Sequence, residues 1–339
     1  MSRPLVTVLL PVHNGADHLS TSLASVLAQS FRDFELLAID DASTDGTAAI
    51  LAGVADERLR VLRNERNLGL TATLNRGIGE ALGAYIARQD ADDLSDPGRL
   101  GAQVARLEGE AGLALLGCSY RRIDEDGREE GLRPVPTDAI AIRWRLLFLS
   151  AFAHSSVMIR ASTLADVGPY DERFAYAQDY ELWSRIARTH EVAALPEPLV
   201  SYRRSGSSLT ATFAGAAAEI DAISAANVDR VLEGSGADRT AIAGFDREAS
   251  WRLLFADPDG VDPEAARLTA PAILALQSAF AAASGLDRRD ADRHRAATAR
   301  RLAHGLGRLA VRERDPRLAL AGLKTWVSSR RAPRASRGS

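Results

Sequence analysis

Across the first half of the chain, short apolar runs alternate with stretches whose apolar residues recur every three or four positions. This is the pattern of a mainly parallel sheet covered by helices. Residues 5–10 predict a first strand, and Leu19, Leu23, Val26 and Leu27 then share one helix face. Residues 34–39 predict a second strand ending in Asp40 and Asp41, followed by the turn and capping run Ser43-Thr44-Asp45-Gly46-Thr47. A third strand at 59–62 leads to a helix marked by Leu70, Leu74 and Ile78. A fourth, at 84–87, runs straight into Gln89-Asp90-Ala91-Asp92-Asp93. Asp96 and Pro97 announce the next helix as cap and first residue. Three strands therefore end in polar turns bearing carboxylates or Asn, and ligands of open α/β sheets bind beyond such ends.

After Leu113 the rhythm changes. Residues 113–120 and 128–133 flank Asp126-Gly127, a hairpin turn pair that predicts an antiparallel portion. A helix at 140–149, a strand at 156–159, a helix at 180–188 and strands at 192–195 and 199–202 follow. From about Thr210 the sequence is rich in Ala and Arg and shows helical periodicity alone. The expected organisation is an α/β domain over residues 1–209, a helical extension over 210–323 and a basic tail over 324–339.

Composition narrows the function classes. With 46% hydrophobic and 26% charged residues, the 339-residue chain can bury a sizeable core. A net charge of -3 gives no global field for nucleic acid, so no nucleic-acid partner is expected. Cys118 is the only cysteine, which excludes intrachain disulfides and thiolate metal clusters and fits a reducing cytoplasm. The apolar run at 4–12 is followed directly by His13, Asn14 and Gly15, so it reads as a buried strand rather than a signal peptide. No run reaches the roughly 18 uncharged apolar residues of a membrane span; residues 270–283 come nearest and are broken by Gln277 and Ser278.

The sharpest chemical feature is Asp90-Ala91-Asp92-Asp93. Carboxylates this close repel one another, so the cluster is either a solvated turn capping the next helix or a seat for a hard cation such as Mg2+ or Mn2+. Asp179 precedes Leu182, Trp183 and Ile186 at three, four and seven residues, which puts it at the head of a buried helix face.

The chain also carries an ordered series: Pro11-Val12-His13-Asn14-Gly15, Asp40-Asp41-Ala42-Ser43-Thr44-Asp45, Asn67-Leu68-Gly69, Leu74-Asn75-Arg76-Gly77 and Asp90-Ala91-Asp92-Asp93. Pro169-Tyr170-Asp171-Glu172-Arg173-Phe174 and Gln178-Asp179-Tyr180-Glu181-Leu182-Trp183 complete it. In this order the motifs closely resemble the family 2 glycosyltransferases, inverting enzymes of the GT-A fold, over about residues 4–205. The fold so implied is a Rossmann-like, mostly parallel sheet with helices on both faces and a smaller antiparallel portion. The resemblance implies transfer of a sugar from a nucleotide-diphosphate sugar to a hydroxyl of a glycan or lipid-linked acceptor. In it Pro11, His13 and Asn14 line the nucleotide pocket, and Asp41, or its neighbour Asp40, contacts the base. Asp90 lies on the ribose side, Asp92 binds a divalent cation, Asp93 supports the site, and Asp179 is the general base. An aspartate ordinarily titrates at about pH 3.9, so it is ionised at neutral pH and can take a proton from an acceptor hydroxyl within hydrogen-bond reach.

Three positions depart from the family pattern. Gln178 stands where an acid often precedes the base, Leu74 where arginine precedes Asn75, and Pro169 where glycine is common. His154 either approaches the acceptor or phosphate or serves as a hydrogen-bonded structural residue. Trp144 and Trp183 lie in helical runs where core packing is the default and acceptor stacking the alternative. Tyr202-Arg203-Arg204 could present charge to phosphate or to solvent. The tail carries Lys324, Arg330, Arg331, Arg334 and Arg337 with no acid. It is either a soluble end or a peripheral contact with anionic lipid at the inner face of the cell membrane, worth about 1 kcal/mol per basic residue. A sugar nucleotidyltransferase would need a Gly-rich loop after the first strand, and a non-catalytic nucleotide-sugar scaffold would not need both Asp92 and Asp179.

Overall fold

The computed structural model describes residues 3–204 and 214–330. Arg331, Arg334, Arg337 and the boundary expected near residue 210 lie outside the described residues. The chain divides into two compact units, Met1–Leu146 with Ser150–Ile220, and Leu147–Leu149 with Asp221–Ser339, so the division falls inside the helix Ala214–Ser235.

The first unit is built on one sheet. Its strands are β1 (Val6–Val12), β2 (Phe34–Asp40), β3 (Leu59–Arg63), β4 (Tyr85–Arg88), β5 (Leu94–Ser95), β6 (Leu113–Ile123), β7 (Glu129–Arg133), β8 (Met158–Arg160) and β9 (Glu191–Arg203). Their order is β3-β2-β1-β4-β8-β6-β9-β5, with β7 paired to β6. The ladders from β3 through β4 are parallel; β8 runs antiparallel between β4 and β6. β1 and β2 are buried at every position, as expected for strands covered on both faces. On one face Val8, Leu10 and Leu36 pack against α1 (Ala16–Leu27) through Leu19, Leu23 and Val26. Leu100, Val104 and Leu107 of α4 (Arg99–Gly109) join the same cluster. On the other face α3 (Leu70–Glu80) sits so close to β1 that a Cβ at Gly77 would lie 2.2 Å from Leu9 Cδ1. That packing fixes the ends of β1, β2 and β4 side by side at one edge.

Several boundaries differ from the sequence expectation, each for a local reason. The expected strands at 192–195 and 199–202 are one strand, β9, whose register against β6 slips near Pro198, a residue unable to donate to the ladder. α4 starts at Arg99 rather than Pro97, because Asp96 Oδ1 accepts the Gly98 N–H (2.9 Å) and forms a turn ahead of the helix. The strand expected at 156–159 begins as a 3-10 turn, His154–Ser156, closed by Ser156 N–H to the Ala153 carbonyl, before β8. The hairpin at Asp126-Gly127 forms as expected, with Gly127 at φ 85°. α5 (Ala139–Arg145), α6 (Ala161–Val167) and α7 (Gln178–Thr189) complete the unit's helices after α2 (Thr47–Ala52).

The second unit is helical: the remainder of α8 (Ala214–Ser235), then α9 (Arg247–Phe255), α10 (Pro263–Ala283), α11 (Arg288–Glu313) and α12 (Pro316–Arg330). α9, α10 and α11 each start on an aspartate, Asp246, Asp262 and Asp287, whose side chain accepts the backbone N–H three residues on. Leu253, Ile273, Leu276, Phe280, Leu302, Leu306 and Leu309 form the interior. α10 is the described helix whose length and composition would suffice to cross a membrane, but Ile273, Leu276 and Phe280 are buried, as in a core helix.

Candidate active site

The loops after β1 and β2 are stitched together. His13 Nδ1 lies 2.8 Å from the Asp41 carbonyl, Asn14 N–H donates to Ser43 Oγ (2.9 Å), and Asn14 Oδ1 accepts the Thr44 N–H (2.8 Å). Asn14 and Ala42 both adopt left-handed backbone, at φ 51° and 56°, a conformation costly for a residue with a Cβ and characteristic of sites held by their surroundings. His13 and Asn14 are exposed, whereas Pro11 is buried within β1 opposite Ile39. Pro11 therefore shapes the edge from below.

Asp40 and Asp41 are both buried and internally engaged. Asp40 Oδ1 accepts the Ser43 N–H (2.8 Å), and Oδ2 lies 3.1 Å from Arg63. Asp41 Oδ1 accepts from Asn64 Nδ2 (2.6 Å) and the Leu68 N–H (2.8 Å), and Oδ2 accepts the Gly69 N–H (2.9 Å). Asp41 thus fixes the loop of residues 64–69 and leaves Oδ2, with a single bond, as its freer oxygen.

The acidic turn after β4 rests on two buried arginines that sequence reasoning did not single out. Arg88 ion-pairs with Asp90 and donates to the carbonyl of Leu9 (3.2 Å) and to His154 Nε2 (3.2 Å). Arg99 donates to Gln89 Oε1 (3.0 Å), Ser95 Oγ (2.8 Å) and the Arg88 carbonyl (2.7 Å), and burial lowers its pKa to about 10. Ser155 Oγ donates to Asp90 Oδ2 and accepts the Asp90 N–H, both at 2.9 Å. Burial would raise the Asp90 pKa, but Arg88 and Ser155 outweigh it and hold the carboxylate below its ordinary value. Asp92 has the opposite balance: burial and the neighbouring Asp90 push it up to about 6. Asp93 is raised well above its ordinary value by burial, Asp90 and Asp92. Its Oδ1 accepts the Arg203 N–H (2.7 Å), while its buried Oδ2 has no hydrogen-bond partner. Arg203 is buried and donates to the carbonyls of Asp92 (2.9 Å), Asp124 (3.0 Å) and Glu125 (2.7 Å), so it clamps the turn instead of presenting charge to phosphate or solvent.

Among the described residues no three His, Cys, Asp or Glu side chains converge as a self-sufficient metal cage. The donor set is Asp92 with two repelling neighbours, and a dication beside it would relieve the repulsion that raises the pKa of Asp92 and Asp93. Hard oxygen donors suit Mg2+ or Mn2+, and a single protein carboxylate leaves coordination positions for diphosphate oxygens. The residues fit a cation shared with the substrate.

Asp179 stands in the first turn of α7, whose Tyr180, Leu182, Trp183 and Ile186 are buried beneath it. Its carboxyl is pushed up to about 6 by burial, with Asp90 adding repulsion and Arg88 and the Tyr180 N–H (2.6 Å to Oδ1) opposing. Asp90 therefore acts electrostatically on Asp179 as well as on Asp92 and Asp93. The turn before α7 is held by Glu219, whose carboxylate accepts the N–H groups of Ala175 (2.9 Å), Tyr176 (2.9 Å) and Ala177 (2.8 Å). Glu219 lies beyond the boundary expected at residue 209 yet belongs to the first unit, and no local sequence pattern marks its partner.

His154, Tyr170 and Trp183 pack edge to face with centroids 5.7 to 6.2 Å apart. Burial and Arg88 lower the His154 pKa to about 3, so the ring is neutral, and its Nε2 lies 2.8 Å from the Tyr170 hydroxyl. Arg88 and Tyr170 together occupy its Nε2. Trp183 is fully buried and offers no face for acceptor stacking, and Trp144 is equally a core residue. Gln178 is buried with Oε1 unpartnered, and Asn75 joins α3 to the Tyr170 segment through its amide, at 2.9 and 3.0 Å. Leu74, in the place of an arginine, is core.

Residues 7–168 match the family model described as glycosyl transferase family 2. The putative glycosyltransferase EpsE of Bacillus subtilis (strain 168) is 37% identical over 192 residues, 55% of this chain and 67% of that protein. The uncharacterized glycosyltransferase MJ1057 of Methanocaldococcus jannaschii is 31% identical over 60% of this chain and 72% of its own length. The chain belongs to glycosyltransferase family 2. A crystal structure of S. aureus TarS 1-349 in complex with UDP-GlcNAc superposes with a TM-score of 0.58 at 18% identity, covering 96% of this chain and 91% of that one. The fold is thus of the GT-A type, and the match extends over the helical region as well. The family makes this chain a transferase, so the scaffold and nucleotidyltransferase alternatives have no support.

Proposed function

We propose that this family 2 glycosyltransferase is an inverting enzyme that moves a sugar from a nucleoside diphosphate, with uridine favoured, to a hydroxyl of a glycan or lipid-linked acceptor. Asp179 is the general base and Asp92 the protein ligand of a Mn2+ or Mg2+ ion. The observation that carries the reading is that Asp179 and Asp92, two carboxylates whose proton affinity burial raises, both lie within the field of Asp90, which Arg88 keeps ionised. The uridine preference draws support from the UDP and UDP-GlcNAc complexes of TarS. A polysaccharide acceptor draws it from ExoO of Rhizobium meliloti, a succinoglycan biosynthesis protein 35% identical over 158 residues.

In this scheme His13, Asn14 and Asp41 Oδ2 hold the nucleotide over the ends of β1 and β2, and Asp90, kept ionised by Arg88, receives the ribose. The cation, when bound, supplies charge to neutralise the departing diphosphate. Asp179 removes the acceptor hydroxyl proton as that oxygen attacks the anomeric carbon from the face opposite the diphosphate. Asp93, buried and accepting the Arg203 N–H, supports the site by tying the turn to Arg203.

The pH dependence tests the role of Asp179. A carboxylate with a pKa near 6 is protonated, and useless as a base, below that pH, so activity is expected to fall as pH drops through about 6 and to be flat above it. The limb should be lost in Asp179→Asn, whose side chain has no proton to release in this range. An acid limb centred near pH 4 would contradict the assignment of Asp179.

A further inference from the structure

The outer side of α12 presents apolar side chains where a soluble helix places charge. Leu318, Gly322 and Thr325 face the interior, while Leu320 is 52% and Leu323 55% exposed, and Val327 follows on the same outward stripe at i+7 from Leu320. On α11, Val311 is 82% exposed. Between the two helices runs an open groove of about 860 Å³, walled by Val311, Leu323 and Trp326, with Arg300, His304 and Arg314 along it. Asp315, the acid at the groove, is ion-paired with Arg317 at 3.4 Å. From Pro316 to the last residue the sequence holds six basic side chains and no acid.

We propose that this face of the second unit docks on an anionic lipid surface. An exposed apolar stripe flanked by Arg317 and Lys324 is the arrangement of a helix lying in a bilayer interface, where apolar side chains enter the headgroup boundary and cations meet lipid phosphates. Charge decides the occupant. A second copy of the chain would bring the same cation-rich stripe against itself, like charge against like, whereas a negatively charged leaflet complements every basic residue on it. Neither signal suffices alone, since a few exposed apolar residues or a handful of cations give weak binding, and the two combined give stable attachment. The inference is independent of the roles of Asp92 and Asp179 and assigns a location to the enzyme rather than a step to its reaction.

The test is co-sedimentation of the full chain with phosphatidylcholine vesicles and with vesicles of phosphatidylcholine mixed with phosphatidylglycerol, at low and high salt. Binding is expected on the anionic vesicles alone, weakened by salt, and lowered about tenfold or more by the double substitution Leu320→Glu and Leu323→Glu. Both positions are exposed, so the helix should survive, and circular dichroism verifies it. The substitution Leu268→Glu, on the exposed side of α10, serves as a second variant and should bind as the parent does. Equal binding to both vesicle types, or binding untouched by the double substitution, overturns the proposal. So does a dimer in light scattering that the double substitution abolishes while vesicles are not bound.

Discussion

Asp179→Asn is expected to lower kcat by about 10²- to 10⁴-fold, the usual worth of a positioned general base, while donor affinity stays within a factor of a few. The amide is nearly isosteric and its oxygen can still accept the Tyr180 N–H that Asp179 Oδ1 accepts at 2.6 Å, so the first turn of α7 keeps its geometry. Beneath it, Tyr180, Leu182 and Trp183 are unaffected. The substitution removes a partly buried charge that Asp90 repels, so thermal stability should hold or rise. Initial rates with saturating donor, together with calorimetric donor binding, separate the two effects. A kcat near that of the parent would mean that another group takes the proton.

The second large effect is expected at Asp92. Asp92→Ala removes the proposed cation ligand, and transition-state stabilisation of several kcal/mol corresponds to a loss of about 10³-fold in kcat/KM. In contrast to Asp179→Asn, the loss should appear in donor binding as well, because the cation would bridge protein and diphosphate. The unliganded fold should tolerate the change, since removing Asp92 relieves its repulsion with Asp90 and Asp93. Chelation of the parent enzyme should reproduce the loss and added Mn2+ should reverse it, while the variant should respond weakly to either. Full activity of the parent in excess chelator would exclude the cation role.

Much of this site was legible in the sequence because its signals are local. The endings of β1, β2 and β4 announce themselves as apolar runs that stop at His13-Asn14, Asp40-Asp41 and Asp90-Ala91-Asp92-Asp93, and the topology of a parallel sheet brings such ends to one edge. Asp179 was visible from the apolar spacing behind it. What the sequence concealed depends on long-range partners. Arg88 carries one local hint, a charged residue closing an apolar run, yet its ion pair with Asp90 and its bond to His154, 66 positions away, come from the packing of β4 beside the 3-10 turn. Arg203 holds a turn 111 positions earlier, and Glu219 caps a loop 42 to 44 positions before it. Asp41 shows the converse case: its position suggests an exposed ligand, but it is buried, and its three N–H donors make it a loop anchor first, with Oδ2 alone left with a single bond. A carboxylate in sequence says nothing of which neighbours have already claimed its oxygens.

The most direct test of the account is the anomeric configuration of the product, followed by proton NMR from the first turnovers with a uridine diphosphate sugar and an acceptor that the enzyme uses. One base at Asp179 and a diphosphate leaving on the opposite face require a single displacement, so an α-linked donor should give a β-linked product. An α-linked product would contradict it.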